Sequence, residues 1–144
     1  MLTIVVGAVI SAIIIVLAIS FAIPEPKSSV AKPLDVTVLA KDSAKVKPGQ
    51  STTLGLTVLV GPDEASPIRL DFQIVTNNES SYSIADGLAV THEKDKQIVK
   101  MGPTEMTLTI KADSTVKQGI YFIRVVASDD KARSASWHFP LHVS

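Results

Sequence analysis

The sequence predicts an all-β domain, a two-sheet antiparallel sandwich of about seven strands, carried behind one membrane-spanning helix. Three observations predict it. Residues 1–23 contain no charged side chain, whereas the remainder of the 144-residue chain holds all 14 basic and all 14 acidic ones. From residue 34 onward, apolar and polar residues alternate with a period of two over short stretches, which turns one face of each stretch to a core and the other to water. Turn-forming clusters of Gly, Pro, Asp and Ser recur about every 10 residues, with no amphipathic helical period between them.

The uncharged segment comes first. At about 1.5 Å per residue its 23 residues make a helix of roughly 34 Å, enough to cross a hydrocarbon core of about 30 Å. Membrane lipid is therefore the expected surroundings of residues 1–23. A cleaved signal peptide is the competing reading, since Ser20-Phe21-Ala22 fits a small-x-small site. The apolar run exceeds the roughly 7 to 15 residues of a signal core, however, and no Lys or Arg precedes it. Gly7 and Ser11 lie four apart and share a helix face on which a second helix could approach closely. Residues 24–33, PEPKSSVAKP, cannot continue a helix and form an extended spacer. Lys27 and Lys32 follow the span, and the positive-inside rule alone would place the domain in the cytoplasm, although Glu25 offsets them.

The domain, residues 34–144, is the size of one small module. Its strands follow in order. Residues 34–40 come first, and the Val46-Lys47-Pro48-Gly49-Gln50 turn feeds residues 51–60, where Leu54, Leu56, Val58 and Val60 share a face. Gly61-Pro62-Asp63 ends that strand. In the next, Ile68, Leu70, Phe72 and Ile74 point inward and Arg69, Asp71 and Gln73 outward. Residues 82–91 are less regular and lead through a charged turn at 92–96 to a short piece ending at Lys100. Met106, Leu108 and Ile110 mark a further strand, residues 113–119 a turn, and residues 120–128 the strand after it. The last strand, 134–143, turns Ala135, Trp137, Phe139, Leu141 and Val143 to one side, with Trp137 expected in the core.

Two stretches carry a resemblance. Pro48-Gly49-Gln50-Ser51 leading into a Thr-rich strand, and DSTVKQGIY at 113–121 followed by the alternating 122–127, resemble immunoglobulin-like modules of archaeal and bacterial envelope proteins. The resemblance implies a sandwich outside the cytoplasm, a non-catalytic role in adhesion, spacing or assembly, and a place for Tyr121 as the tyrosine-corner residue whose hydroxyl bonds back to the turn. The chain lacks the cysteine pair of antibody domains.

Chemistry is harder to find. Without cysteine there is no disulfide, thiolate nucleophile or thiolate metal ligand. Balanced charge without a basic cluster argues against nucleic acid as a partner. His138 and His142 are four residues apart on one strand, about 13 Å, too far to share an ion unaided. Acidic pairs such as Asp63-Glu64 and Asp129-Asp130 fall in turns, where solvated charge is the default. No catalytic residue, metal or cofactor is expected. Asn78-Glu79-Ser80 is a glycosylation sequon in a loop, suited to an external domain.

A surface is the better clue. With Tyr121, Ile123, Val125 and Ala127 inward, Ile120, Phe122, Arg124 and Val126 point outward, where a wet sheet face should be polar. If the last strand is the neighbour, His138, Pro140 and His142 extend a mixed aromatic and aliphatic patch. Phe122, Arg124, Val126, His138 and His142 are the expected contact residues for a protein partner, with Gly7 and Ser11 for helix pairing. The expected function is that of a single-pass, membrane-anchored extracytoplasmic accessory or structural subunit in an envelope assembly. The alternatives are a non-catalytic subunit of a membrane enzyme complex, anchored mainly through its span, and a secreted ligand-binding domain.

Overall fold

A computed structural model describes residues 32–77 and 79–144. The span, the Gly7 and Ser11 face, most of the spacer and Asn78 lie outside the described residues. Among those described, no helix is long and apolar enough to cross a membrane.

The compact unit Pro33–Ser144 is built from strands. They are β1 (Val36–Ala40), β2 (Ala44–Val46), β3 (Ser51–Val60), β4 (Ile68–Val75), β5 (Leu88–His92), β6 (Ile98–Val99), β7 (Gly102–Ala112), β8 (Gly119–Ser128) and β9 (Ser134–Val143), with a single 3-10 turn at Lys94–Lys96. One sheet has the order β1-β3-β7-β5 and the other β2-β9-β8-β4-β6. Long alternating strands form the middle of each sheet. β3 pairs with β7 over ten positions, from Ser51 opposite Lys111 to Val60 opposite Gly102. β8 pairs with β9 from Gly119 opposite Val143 to Ser128 opposite Ser134.

The alternation fills the space between the sheets. Leu54, Leu56 and Val58 of β3, Leu108 and Ile110 of β7, Ile68 and Leu70 of β4, and Ile123 and Val125 of β8 are fully buried in one continuous cluster. Burying each such side chain contributes about 1.5–3 kcal/mol. Trp137, Phe139 and Phe72 pack against this cluster only half-buried, so Trp137 closes the flank of the core rather than filling it.

Two short strands depart from a purely antiparallel seven-strand scheme. β2 pairs with β9 in parallel, Ala44 to Val46 alongside Leu141 to Val143. The first segment thus serves both sheets, as β1 in one and β2 in the other. Its parallel stretch covers β9 only beyond Pro140, and Pro140, with no N–H to donate, sits where the exposed edge of β9 begins. β6 adds two residues to the edge of β4. The link between β2 and β3 is a type II turn: Gln50 N–H donates to Lys47 O at 3.0 Å, Pro48 takes the second position and Gly49 the third at φ +80°, where a side chain would be strained.

Candidate protein-contact surface

The register of the second sheet decides what its outer face presents. On β8, Ile123, Val125 and Ala127 turn inward and are fully buried, which leaves Phe122, Arg124 and Val126 outward and half-buried, and Ile120 outward at 56% exposure. Across β9, Ile120 stands opposite His142, Phe122 opposite Pro140, Arg124 opposite His138 and Val126 opposite Ser136. Across β4, Phe122 stands opposite Val75, Arg124 opposite Gln73 and Val126 opposite Asp71. The five expected contact residues of the domain therefore share one face. His142 lies at its end, beside Lys45 of β2.

Part of this face is already occupied. After β4 the chain doubles back, Thr76 N–H donating to Ser83 O at 2.9 Å and Val75 bridging to Ile84, and the Tyr82 ring lies over the Arg124 guanidinium at 4.8 Å from its centroid. Val75 is fully buried although it points away from the core. Tyr82 belongs to the surface and went unrecognised in the sequence, because nothing local says where an irregular loop returns. The stacking orients Arg124, and its Nη1 donates to Gln73 Oε1 at 3.4 Å.

His138 faces outward, as expected of its register, yet it is not simply solvated. Its Nε2 is buried without a hydrogen-bond partner. Burial pushes its pKa below the ordinary 6.5, and the nearby positive charge of Arg124 pushes the same way, so the ring is neutral at neutral pH. His92 lies elsewhere, tilted against Phe72 with ring centroids 5.0 Å apart. The histidines do not converge, and among the described residues no three His, Asp or Glu side chains could hold a metal ion.

The acidic turns require a correction. Glu64 and Asp129 are not solvated: Glu64 is only 5% exposed, and the Asp129 side chain is fully enclosed. Arg133 joins them, its Nη2 donating to Glu64 Oε2 at 2.7 Å and its Nε donating to Asp129 Oδ2 at 2.7 Å. Asp129 Oδ1 accepts from the backbone N–H groups of Lys131 and Arg133, and Glu64 Oε1 accepts from Asp35 N–H at 2.8 Å. One cluster thus pins two loops to the start of the domain. Burial opposes ionisation of Asp129, but the bonds from Arg133 and the turn backbone outweigh it and hold its pKa below the ordinary 3.8. An open groove of about 620 Å3 beside it is lined by Pro62, Ala65, Ser66, Pro67, Lys100 and Met101, with Glu64 as its one carboxylate. That carboxylate is engaged by Arg133 and by the Asp35 backbone N–H, which leaves Lys100 as the other charged side chain of the groove.

The sheet order places the first, third, seventh and fifth strands in one layer and the ninth, eighth and fourth at the heart of the other, which is the strand arrangement of an immunoglobulin-like sandwich. No protein-family model matches the chain, and no curated protein does. Among solved structures, the SrpA adhesin from Streptococcus sanguinis is similar with a TM-score of 0.55 and 8% identity, over 83% of this chain and 60% of that one. A PapD-like domain of human CEP192 gives 0.47 with 13% identity over 85% of this chain and 94% of that one. The BIgI domain of beta protein from S. agalactiae, solved bound to CEACAM1, gives 0.43 with 16% identity, 77% of this chain and 96% of that one. The domain is an immunoglobulin-like β-sandwich module.

Proposed function

We propose that this chain is a membrane-anchored, extracytoplasmic module that works by protein contact, as an accessory or structural subunit of an envelope assembly. The observation that carries the reading is the outer face of β8, where Ile120, Phe122 and Val126 replace the polar residues a wet sheet face would carry. The uncharged residues 1–23 support the anchor, and the sequon at Asn78 suits an external domain.

The test is co-purification from native membranes. Ile120→Glu, at an exposed position, leaves the domain folded and reduces recovery of a bound protein about tenfold, the effect of replacing one apolar contact by a charge. Thr107→Glu, on the outer face of the other sheet opposite Gly55, leaves recovery unchanged. Equal recovery with Ile120→Glu and wild type would overturn the assignment of this face. Exchanging residues 1–23 for an unrelated span separates this reading from a subunit held in a membrane enzyme complex by its helix, which would be lost from its complex by the exchange alone. Protease protection of intact cells reports the side on which the domain lies.

A further inference from the structure

The contact face carries Arg124, which has no carboxylate partner among the described residues, and the weakly paired Arg69 and Asp71. Arg124 is half-buried, and its neighbours are the neutral Gln73 amide and the Tyr82 ring, with no carboxylate among the described residues. A partly desolvated guanidinium without a counter-ion is an unfavourable arrangement unless something supplies one. Asp71 stands on the same face one register step away, opposite Val126 where Arg124 is opposite Gln73. Among the described residues it meets Arg69, at 3.7 Å and with both side chains at least half exposed, a pair of little strength.

We propose that this face pairs with the same face of a second copy of the chain, about a two-fold axis that sets Arg124 of each copy against Asp71 of the other. An isologous contact needs a self-complementary patch, and a cation and an anion offset on adjacent strands satisfy that requirement twice over. The same axis passes close to Val126, because Val126 and Gln73 occupy the other diagonal of the four-residue unit; an apolar side chain thus meets its own image at the centre. The chain's formal net charge of zero leaves no long-range repulsion between copies. The proposal rests on the contact reading above, and under that reading a shared membrane plane also raises the effective concentration of one copy near another.

The chain contains no cysteine, so a single introduced thiol reports proximity without background. Full-length Val126→Cys and Thr107→Cys are oxidised gently in native membranes and run on non-reducing gels. Val126→Cys forms a disulfide-linked dimer and Thr107→Cys does not. In the Val126→Cys background, Arg124→Asp or Asp71→Arg each lowers dimer yield about tenfold, as expected for loss of an interfacial charge pair, and co-expression of the two restores it, since the mixed pair again has opposite charges. Restoration excludes misfolding as the cause of the losses. Equal cross-linking at positions 126 and 107, or no restoration on co-expression, overturns the proposal. If Val126→Cys fails to cross-link while Ile120→Glu still releases a different protein, the face serves that protein, and the contact reading stands without the dimer.

Discussion

The Tyr121 hydroxyl donates to Lys117 O at 2.9 Å, across the turn that enters β8, while the strand alternation turns its ring toward the core. Tyr121→Phe keeps the ring and removes only this bond. It lowers the unfolding free energy by about 1 kcal/mol, read as a shift in urea midpoint at unchanged slope; an unchanged midpoint would mean the bond contributes nothing. His138 sets a different test. Its folded pKa lies below the ordinary 6.5, so the unfolded chain takes up the proton first as pH falls. The stability tied to this ring is therefore complete above pH 6.5 and declines as pH drops from there through the folded value. Wild type loses stability as pH falls below 6.5, and His138→Leu loses less; parallel losses would show that His138 is not responsible. Tyr121 was legible because its partner lies four residues upstream within one motif. The shielding of His138 was not, since it comes from packing that no local pattern encodes.

The strands with clean alternation were placed by their sequence, β3, β4 and β9 to within a residue or two and β7 without its first three residues, and the parity of β8 named its outer face correctly. β2 and β6 have three and two residues and no period to detect; they form because a neighbouring edge offers unpaired backbone groups. The loops failed differently. Charge in a turn normally faces water, but Glu64 and Arg133 are 69 residues apart and find each other only when the sandwich closes. Two predictions belong to these elements. Ile123→Ala on the inner side of β8 costs about 2–5 kcal/mol, whereas Val126→Ala on its outer side costs well under half of that, a contrast that urea denaturation resolves. Arg133→Met leaves two enclosed carboxylates without their cation and destabilises the domain more than Lys41→Met, which removes only the exposed pair with Glu105 at 3.1 Å. Because the folded pKa of Asp129 is depressed, the stability it confers is present above pH 3.8 and lost as pH falls below that value, so the Arg133→Met difference shrinks in acid. A difference that persists unchanged at pH 2 would contradict this account.

At the scale of the molecule, the two sheets share a single apolar cluster, and Val75, covered on the outer face by the returning chain at Ile84, is a buried apolar side chain outside it. Leu56 of β3 and Ile123 of β8 are both fully buried within it although they stand in different sheets, so neither sheet can expose its inner face while the other stays folded. Separate unfolding of the layers is thus penalised at about 25 cal/mol for every Å2 of apolar surface uncovered. The strand pairs that hold each layer are distant in sequence, as with Thr52 opposite Ile110 and Phe72 opposite Val125. Contacts of that span form late and together, which makes folding slow relative to helical domains of the same size. Residues 32–144 expressed alone therefore unfold in one cooperative urea transition with a slope of about 1–3 kcal/mol/M, and tryptophan fluorescence from Trp137 and far-ultraviolet circular dichroism give the same midpoint. Trp137 reports from the flank of the second sheet, whereas circular dichroism averages over both sheets. Two separated midpoints would mean that the β1-β3-β7-β5 layer holds together without its partner, and the shared core would then be the wrong explanation of the fold.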